Sequence, residues 1–344
     1  MILSSSILAI TTFLMSAFLT YKLIYFSKLL NLIDTPNERS SHTSPTSKGG
    51  GISIILLTLI TVIFLYLEKT IDTSFGMSLI LGSAIIAITG FLDDLYNLSI
   101  IRRIILYSLS IFMAIIFLMP ETHLVIGNMK IEMSIFAYLF YAIYIFWLLN
   151  LFNFMDGMDG YAGVQTISTA LFTWLVLCNR IETNEHLILL VILFSTLGFM
   201  MWNWSPAKIF MGDVGSCTLG FMFALFSVYT SSQNYLSISI WLILLSPFIG
   251  DASFTLIKKI INGGKWYQAH NNHAYQKLYQ IGFNHRIIAG GLLVVNLICI
   301  WPLAYTAILH PDIELYVLLM CYCFIALVWG YIFYHHNKTN KCRN

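Results

Sequence analysis

Apolar residues in this chain form long runs, which short polar segments separate. Each run is about as long as the roughly 20 residues that a helix needs to cross a ~30 Å hydrocarbon layer. Eleven runs follow this pattern, at 2–27, 49–67, 76–92, 102–119, 133–151, 161–179, 187–203, 212–230, 237–257, 287–308 and 314–334. The pattern predicts an all-α polytopic integral membrane protein with eleven, or ten, transmembrane helices. We expect one membrane-embedded domain over 1–344, with a short tail at 335–344.

Composition narrows the class further. Of the 344 residues, 58% are hydrophobic and only 10% are charged, whereas a soluble domain carries about 25% charged residues. Basic residues form no patch that would indicate a nucleic-acid partner. The six cysteines are scattered without a CxxC pair, which argues against a disulfide framework and against a zinc site.

The loops differ in their content of Lys and Arg, and this difference predicts the orientation in the bilayer. One set of connections and the tail hold Lys28, Arg39, Lys48, Arg102, Arg103, Lys208, Lys258, Lys259, Lys265, Lys277, Arg286, Lys338, Lys341 and Arg343. The opposite set holds only Lys69, Lys130 and Arg180. We therefore expect an outside N-terminus and a cytoplasmic C-terminus. On the outer side, acidic residues are interpreted as solvated turn residues, and the insert 120–132 as a hairpin or a loop excursion.

Acidic motifs at the cytoplasmic ends of the predicted helices carry the candidate chemistry. They are FLDDLYNLS with Asp93 and Asp94, NLFNFMDGMDG with Asn150, Asn153, Asp156 and Asp159, and FMGDVGS with Asp213. Two carboxylates 4 Å apart repel by about 4 kcal/mol at an effective dielectric near 20, and a cation relieves this cost. Mg²⁺ prefers oxygen ligands and keeps water and substrate phosphates in its shell. The motifs thus predict a magnesium and diphosphate site, although a solvated helix end and a helix N-cap are alternatives for Asp93-Asp94 and for Asp213.

Two further cytoplasmic loops contain candidate phosphate-binding groups. In the first, Lys48 and Arg39 accompany Gly49–Gly51, whose backbone N–H groups at a helix start can approach an anion; the alternative is a glycine hinge. In the second, His270 and His273 are three residues apart and can share one face of a short helix. We expect these imidazoles to bind a donor diphosphate and to contribute little to folding. A zinc site or a solvated amphipathic loop is the alternative.

Together these motifs resemble the polyprenyl-phosphate N-acetylhexosamine-1-phosphate transferases. The likeness rests on the first polar loop with its three glycines, the Asp pair, the Asn-Asp-Gly block, the Gly-Asp segment and the His-rich loop, and it covers nearly the whole chain. It implies Asn153 and Asp213 as metal ligands, and Asp93, Asp94 and Asp156 as catalytic carboxylates. The substrate-binding residues would be Lys48, Asn150, Asp159, His270, His273 and Arg286.

The resemblance also implies a reaction. A UDP-N-acetylhexosamine would transfer its sugar 1-phosphate to undecaprenyl phosphate, with Mg²⁺ or Mn²⁺ as cofactor and UMP as product, in the bacterial inner membrane. The His-x-x-His-x-Tyr-Gln loop is similar to the branch that begins O-antigen or capsule synthesis. Lys48 and Tyr161 depart from that branch, which often has Arg and Leu at these positions, so the identity of the amino sugar is left undecided. A homodimer is an alternative to a monomer. A secondary transporter or lipid flippase is the alternative from another class.

Overall fold

The computed structural model describes residues 2–35, 45–263 and 272–343, and it is built mainly of helices. The α-helices in these residues are α1 (Ile2–Phe26), α2 (Gly51–Leu67), α3 (Thr73–Tyr96), α4 (Ile100–Leu118), α5 (Phe136–Met155), α6 (Tyr161–Leu177), α7 (Glu185–Asn203), α8 (Asp213–Ser232), α9 (Ile238–Leu244), α10 (Ser246–Ile261), α11 (Ala274–Ile281), α12 (His285–Val295), α13 (Trp301–Leu309) and α14 (Glu314–Arg343). Two antiparallel strand pairs accompany them, β1 (Ile33–Asp34) with β2 (Thr46–Ser47) and β3 (His123–Ile126) with β4 (Met129–Glu132).

The helices confirm the prediction of an all-α polytopic membrane protein. Eight described segments are long and apolar enough to cross a membrane, and a bent helix pair raises the number to nine. Two shorter apolar helices, α2 and α6, have 17 residues each and occupy two further predicted spans. Helix α14 continues to Arg343, so the predicted tail at 335–344 is helical as far as the structure describes it, and its position outside the membrane stays a prediction.

The ninth predicted span is not one continuous helix. It consists of α9 and α10, which meet at 78°. Pro247 lies in the first turn of α10, where its missing N–H costs no helical hydrogen bond. The amide nitrogen of Gln165 donates to the carbonyl of Leu244 over 2.9 Å and so satisfies a backbone group that the break exposes. Asn296 donates to the Gln165 carbonyl at 3.0 Å and holds that side chain in place.

Helix α8 forms the centre of the bundle. Its side chains from Val214 to Ser231 are all buried, and the helix packs against α2, α3, α5 and α9. Phe75 of α3 stacks on Tyr229 of α8 with ring centroids 4.1 Å apart. Because α8 begins at Asp213, this packing brings the Gly-Asp segment next to the ends of α3 and α5.

At the opposite end of the bundle the structure shows the form of the insert 120–132 and corrects the interpretation of one acidic residue. The insert after α4 is a hairpin, in which β3 and β4 pair around Gly127 and Asn128. Glu185, however, is not a solvated turn residue, because its exposure is 0%. Its carboxylate accepts hydrogen bonds from the backbone of Asp72 (2.8 Å) and the hydroxyl of Tyr229 (3.1 Å). These bonds compensate the cost of burying a charge in this position.

Candidate active site

The Asp93-Asp94 pair lies in the last turn of α3, directly against the start of α8. Gly90, one turn earlier, makes this approach feasible, since a Cβ there would lie 2.6 Å from the backbone carbonyl carbon of Asp213. Helix α3 ends at Asn97, which adopts a left-handed conformation. The carboxylate of Asp93 accepts the N–H of Leu98 at 2.6 Å and closes the turn.

Asp94 joins α3 to α8 through main-chain groups. Its two carboxylate oxygens accept the N–H groups of Asp213 and Val214, each at 3.3 Å. These donors are among the first N–H groups of α8, which no helical carbonyl can satisfy. Asp94 is only 6% exposed. It therefore caps a buried helix start, a function that the sequence had suggested for Asp213 instead.

Arg103 connects two of the acidic motifs. Its guanidinium lies 2.8 Å from a carboxylate oxygen of Asp93 and 3.4 Å from one of Asp213. Ser99 caps α4 and accepts the N–H of Arg102, so Arg103 stands in the first turn of that helix. The sequence analysis used Arg103 only for orientation. Its position one loop after the Asp pair was the available signal for a counter-ion.

Asn153 meets Asp213 across the interface of α5 and α8. The amide nitrogen of Asn153 lies 2.7 Å from a carboxylate oxygen of Asp213 and 3.3 Å from the hydroxyl of Ser216. The structure thus brings together the two predicted metal ligands. Asn150 is placed differently, because its amide donates to the carbonyl of Phe146 within its own helix at 2.7 Å. Its predicted contact with substrate stays a prediction.

Asp156 follows α5 and extends the same acidic group. Burial raises the pKa of Asp156 well above the usual value of an aspartate, and the charges of Asp213 and Asp94 raise it further. Within the described parts of the chain, the Asp156 carboxylate forms no hydrogen bond with another protein group. It is therefore the carboxylate of this group that is most available to a ligand.

The charge balance of the cluster favours a cation. Four aspartates (Asp93, Asp94, Asp156 and Asp213) face two cations, Arg103 and Lys48, the latter 3.8 Å from Asp94. The donor set is carboxylate and amide, which suits Mg²⁺ better than a soft metal. No set of three or more His, Cys, Asp or Glu side chains among the described residues is arranged as a metal site. A magnesium ion here would use Asn153 and Asp213, with the remaining ligands from substrate and water.

In the glycine segment at the start of α2, two of the three N–H groups predicted to approach an anion are bound by carbonyl groups instead. The N–H of Gly50 donates to the carbonyl of Phe210, and that of Gly51 to the carbonyl of Met211, both at 2.9 Å. The N–H of Phe210 in turn donates to the carbonyl of Ser47 at 2.8 Å. The segment thus attaches the start of α2 to the loop before α8. This attachment holds Lys48 beside Asp94, while Arg39 lies outside the described residues.

Asp159 is paired with a histidine that the sequence analysis did not select. Its carboxylate lies 3.2 Å from Nδ1 of His285 and accepts the N–H of Ala207 at 3.1 Å. Burial acts to raise the pKa of Asp159, but these two partners outweigh it and lower the pKa below its usual value. Asp159 therefore joins the loop after α5 to the loop after α7 and to α12. A direct contact with substrate stays a prediction.

The His-rich segment is connected to the acidic cluster through α11. Tyr275 is buried and donates from its hydroxyl to the carbonyl of Phe154 at 3.1 Å. Gly157 permits this contact, since a Cβ at that position would collide with the Tyr275 hydroxyl. The ring of Tyr275 also stacks on Tyr161, with centroids 4.9 Å apart. The departure from Leu at position 161 therefore has a packing function here.

The structure places His273 at the start of α11, and the helical face that it was expected to share with His270 stays a prediction, because His270 lies outside the described residues. His273 directly precedes α11, which begins at Ala274. It is not a freely accessible ligand, since it is 4% exposed and its Nδ1 lies 3.8 Å from Asp251. Asp251 accepts the N–H of Ala274 at 2.7 Å and that of Tyr275 at 3.3 Å, and so caps α11. No local motif marks Asp251, which lies inside an apolar run.

The remaining predicted substrate-binding residues are not brought to the cluster. His270 lies outside the described residues. Arg286 is exposed, and its Nε donates to the carbonyl of Ser205 at 2.6 Å. It thus contacts the same loop as Asp159 rather than the carboxylates themselves. Its binding of phosphate stays a prediction.

Comparison with known proteins places this geometry in a family. The family model described as glycosyl transferase family 4 matches residues 76–231, which include Asp93, Asp94, Asn153, Asp156 and Asp213. A probable undecaprenyl-phosphate N-acetylglucosaminyl 1-phosphate transferase of Bacillus subtilis is 31% identical over 78% of this chain and 75% of its own length. A phospho-N-acetylmuramoyl-pentapeptide-transferase of Thermotoga maritima is 30% identical over 71% and 80%.

A third relative extends the likeness further along the chain. The decaprenyl-phosphate N-acetylglucosaminephosphotransferase of Mycobacterium leprae is 25% identical over 86% of this chain and 80% of its own length. These matches include the helices that carry the carboxylates and extend beyond them. The matched residues 76–231 contain the polar ends of α3, α5 and α8 that form the cluster, and the chain belongs to glycosyl transferase family 4.

Proposed function

We propose that this protein transfers N-acetylhexosamine 1-phosphate from a UDP-N-acetylhexosamine to undecaprenyl phosphate and releases UMP. The observation that carries the proposal is the contact between Asn153 and Asp213 at one end of a membrane-spanning bundle, surrounded by three further aspartates. The named activities of the relatives from Bacillus subtilis and Mycobacterium leprae support the same reaction.

The chemistry of the substrates explains why such a site lies at a membrane surface. The acceptor carries its phosphate on a chain that stays in the bilayer, whereas the charged nucleotide stays in water. In the reaction an oxygen of the acceptor phosphate attacks the sugar-bearing phosphorus of the donor. The bond from that phosphorus to the UMP oxygen breaks, so a lipid-linked diphosphate and UMP result. The nucleophile already carries a charge, and the site must chiefly align the two phosphates.

The residues of the cluster divide this task. Asn153 and Asp213 would hold Mg²⁺, which neutralises the donor diphosphate and the leaving UMP. Arg103 orients Asp213 through its ion pair and keeps Asp93 in place. Asp94 fixes the start of α8 relative to α3, and Lys48 beside it offers a positive charge to a phosphate. Asp156 is available to contact the acceptor phosphate or the nucleotide.

A transporter or flippase is less well supported. Transport sites lie near the middle of the bilayer, where broken helices present polar groups to the substrate. Here the carboxylates lie at helix ends. The broken pair α9 and α10 has its exposed carbonyl bound by Gln165. No specific observation favours transport over transfer.

The cellular setting follows from the same reasoning. We infer a bacterial cytoplasmic membrane, with the site facing the cytoplasm, since Lys and Arg concentrate on the carboxylate side. The proposed pathway is the first membrane step of O-antigen, capsule or a related cell-envelope polysaccharide. The choice of N-acetylhexosamine is left to experiment.

Purified protein tests the proposal directly. It is incubated with undecaprenyl phosphate, Mg²⁺ and one of several UDP-amino sugars, and both lipid-linked product and UMP are measured. We expect equal amounts of the two products with at least one donor and none when the lipid is omitted. Release of UMP without a lipid product, or movement of lipid across vesicles without any donor, would contradict the proposal.

A further inference from the structure

Asp159 is the meeting point of three segments that are far apart in the chain. It lies in the connection from α5 to α6, and its carboxylate accepts the N–H of Ala207, in the loop before α8, at 3.1 Å. The same carboxylate lies 3.2 Å from Nδ1 of His285, in the first turn of α12. The hydroxyl of Ser205 donates a third hydrogen bond to it. Three protein donors therefore surround the carboxylate that was predicted to bind substrate.

The imidazole of His285 has one polar contact in the part of the chain that the structure describes, and this contact is with Asp159. Burial acts to raise the pKa of Asp159, but the hydrogen bonds from His285 and Ala207 outweigh it and hold the pKa below its usual value. The carboxylate is thus ionised at neutral pH and can only accept, so Nδ1 of His285 carries the shared proton. The other ring nitrogen, Nε2, is buried and forms no hydrogen bond with a described residue. The polar interactions of this ring therefore consist of the bond from Nδ1.

The residues on either side of His285 have different functions. Arg286 donates from Nε to the carbonyl of Ser205 at 2.6 Å, so two consecutive residues of α12 contact the same junction. Asn284 caps the helix instead, because its side chain accepts the N–H of Ile287 at 2.9 Å. The cap stabilises α12 itself, whereas His285 and Arg286 connect α12 to other segments.

The connection that Asp159 anchors also carries Asp156. Residues 156–160 form the whole connection between α5 and α6. The carboxylate of Asp156 forms no hydrogen bond with another described group, so the backbone of this connection sets its position. That backbone is held at its far end by the N–H of Gly160, which donates to the side-chain oxygen of Asn203 at 3.0 Å. Asp159 supplies a charged attachment directly before this point.

The loop between α7 and α8 has a second attachment to this connection. Asn203 accepts the N–H of Gly160, and its amide donates to the carbonyl of Ile209 at 2.8 Å. These bonds remain when the bond between Asp159 and His285 is removed. Its removal should therefore shift the connection locally and leave the loop and the connection joined.

We propose that His285 is a positioning residue for the transfer reaction. Through its Nδ1 bond to Asp159 it holds the connection from α5 to α6 in the conformation that places Asp156 at the acidic cluster. The inference rests on the proposed function, because it assigns His285 to the same site. A shift of ~1 Å in a catalytic group can lower the rate by about 100-fold. The proposed metal ligands Asn153 and Asp213 lie on α5 and α8, outside the connection, so the effect should appear in kcat more than in KM for the donor.

Steady-state kinetics of the full-length protein in detergent, normalised to folded protein, test the proposal with two substitutions at one position. His285→Asn keeps an N–H close to the place of Nδ1, whereas His285→Ala removes it. We expect His285→Ala to lower kcat about 10- to 100-fold and to change KM for the UDP-sugar less than about threefold. The kcat of His285→Asn should stay within about threefold of the wild type. The control is Asn284→Ala, which removes the cap of the same helix and should lower the melting temperature without lowering kcat.

A double-mutant cycle identifies the group through which His285 acts. Asp156→Asn alone should lower kcat, and His285→Ala should cause no further loss in that background, because the group that it positions has already been removed. If His285→Ala does not fold, His285→Gln replaces it in the cycle, since its amide reaches the place of Nε2 and also loses the bond to Asp159.

Several results would overturn the proposal. These are additive losses in the cycle, equal losses in His285→Ala and His285→Asn, and an equal fall of kcat in Asn284→Ala. A wild type that transfers no sugar phosphate to the lipid would overturn the proposed function and this inference with it. An active wild type with unchanged kcat in His285→Ala would overturn the inference alone.

Discussion

The active-site end of this protein contains an acidic and a basic region that are built in different ways. The acidic region, with Asp93, Asp94 and Asp213, lies on the ends of helices that pack directly against one another around the buried α8. The basic region, in the last quarter of the chain, reaches the acidic one through the short helix α11. The acidic groups are thus fixed by the core of the fold. The basic groups lie on helices that pack beside this core, against α5, α6 and one another.

Charge along the chain reflects the same division. Residues 1–251 contain ten Lys and Arg and fourteen Asp and Glu, whereas residues 252–344 contain eight and two. A phosphate-transfer site needs negative charge to hold a metal and positive charge to hold phosphates. In this protein residues 1–251 contain both kinds of charge, including Lys48 and Arg103 beside the carboxylates, whereas the last quarter of the chain is almost entirely basic.

The largest expected effect is a difference in thiol labelling between the two ends of the bundle, because the acidic and basic regions are expected to face the same side of the membrane. Ser99→Cys lies beside the acidic region and Thr183→Cys at the opposite end, each placed in a cysteine-free background. In intact cells an impermeant thiol reagent should label Thr183→Cys and leave Ser99→Cys unmodified, because only the former faces outward. Permeabilised cells provide the control, since both positions should then react. Labelling of Ser99→Cys from outside would reverse the orientation of both regions.

The next largest effect is loss of activity without loss of fold in the acidic region. Asp213→Asn should lower UMP release by about 100- to 1,000-fold, as expected when one preorganised electrostatic group of an active site is removed. Its melting temperature should stay near that of the wild type, because one of four crowded carboxylates becomes neutral. Asp312→Asn makes the same change at an exposed position and should have no effect on either quantity. Full activity of Asp213→Asn, or of wild type in excess EDTA, would disprove the magnesium assignment.

A steric substitution tests whether the acidic region is fixed by packing. Gly90→Ala places a Cβ 2.6 Å from the backbone of Asp213, so α3 and α8 must separate. Overpacking of this kind costs about 1–3 kcal/mol, and both melting temperature and activity should fall. The control is Gly290→Ala in α12, where nothing lies within 4 Å of the added Cβ; helix propensity alone should stabilise it by up to ~1 kcal/mol. Equal melting temperatures of the two variants would contradict the close contact.

These contrasts also explain which features the sequence could predict. The periodic apolar runs identified the helices, because span length and hydropathy depend on local composition. The motifs selected Asp93, Asp94, Asn153 and Asp213 as candidates, because Asn and Asp residues at membrane-helix ends are costly without a function, and the structure brings these four residues together. The sequence analysis did not predict which groups form hydrogen bonds with distant parts of the backbone. Gly50 and Gly51 donate to carbonyls of a distant loop, a contact that only the tertiary structure provides.

The residues that the sequence analysis missed have one property in common. Arg103, Asp251 and His285 each connect two elements that are far apart in the chain, through Asp213, Ala274 and Asp159 respectively. For Arg103 the neighbouring Asp pair was a local signal, but nothing in the local pattern distinguishes Asp251 from other polar residues inside a span or His285 from a solvated residue. The break between α9 and α10 was missed for the same reason, since its compensation by Gln165 comes from another helix.

A smaller effect is expected where the basic region is attached. Asp251→Ala removes the acceptor of two N–H groups at the start of α11, and a helix cap contributes about 1 kcal/mol. The melting temperature should fall by only a few degrees, but the KM for the UDP-sugar should rise several-fold as α11 loosens. Asn284→Ala removes the cap of α12 and should lower stability without this change in KM. A rise in KM of the same size in both variants would show that α11 has no special relation to the donor.

The smallest effect is a dependence of stability on pH at the Asp159–His285 pair. The pKa of Asp159 is lowered in the folded protein, so this group stabilises the fold above its unfolded pKa of about 4. That contribution is lost as the pH falls through the lower, folded pKa. The melting temperature of the wild type should therefore fall more steeply than that of Asp159→Asn between about pH 5 and pH 3. At pH 7 the variant should melt a few degrees lower, and parallel curves would show that the carboxylate gains nothing from His285 and Ala207.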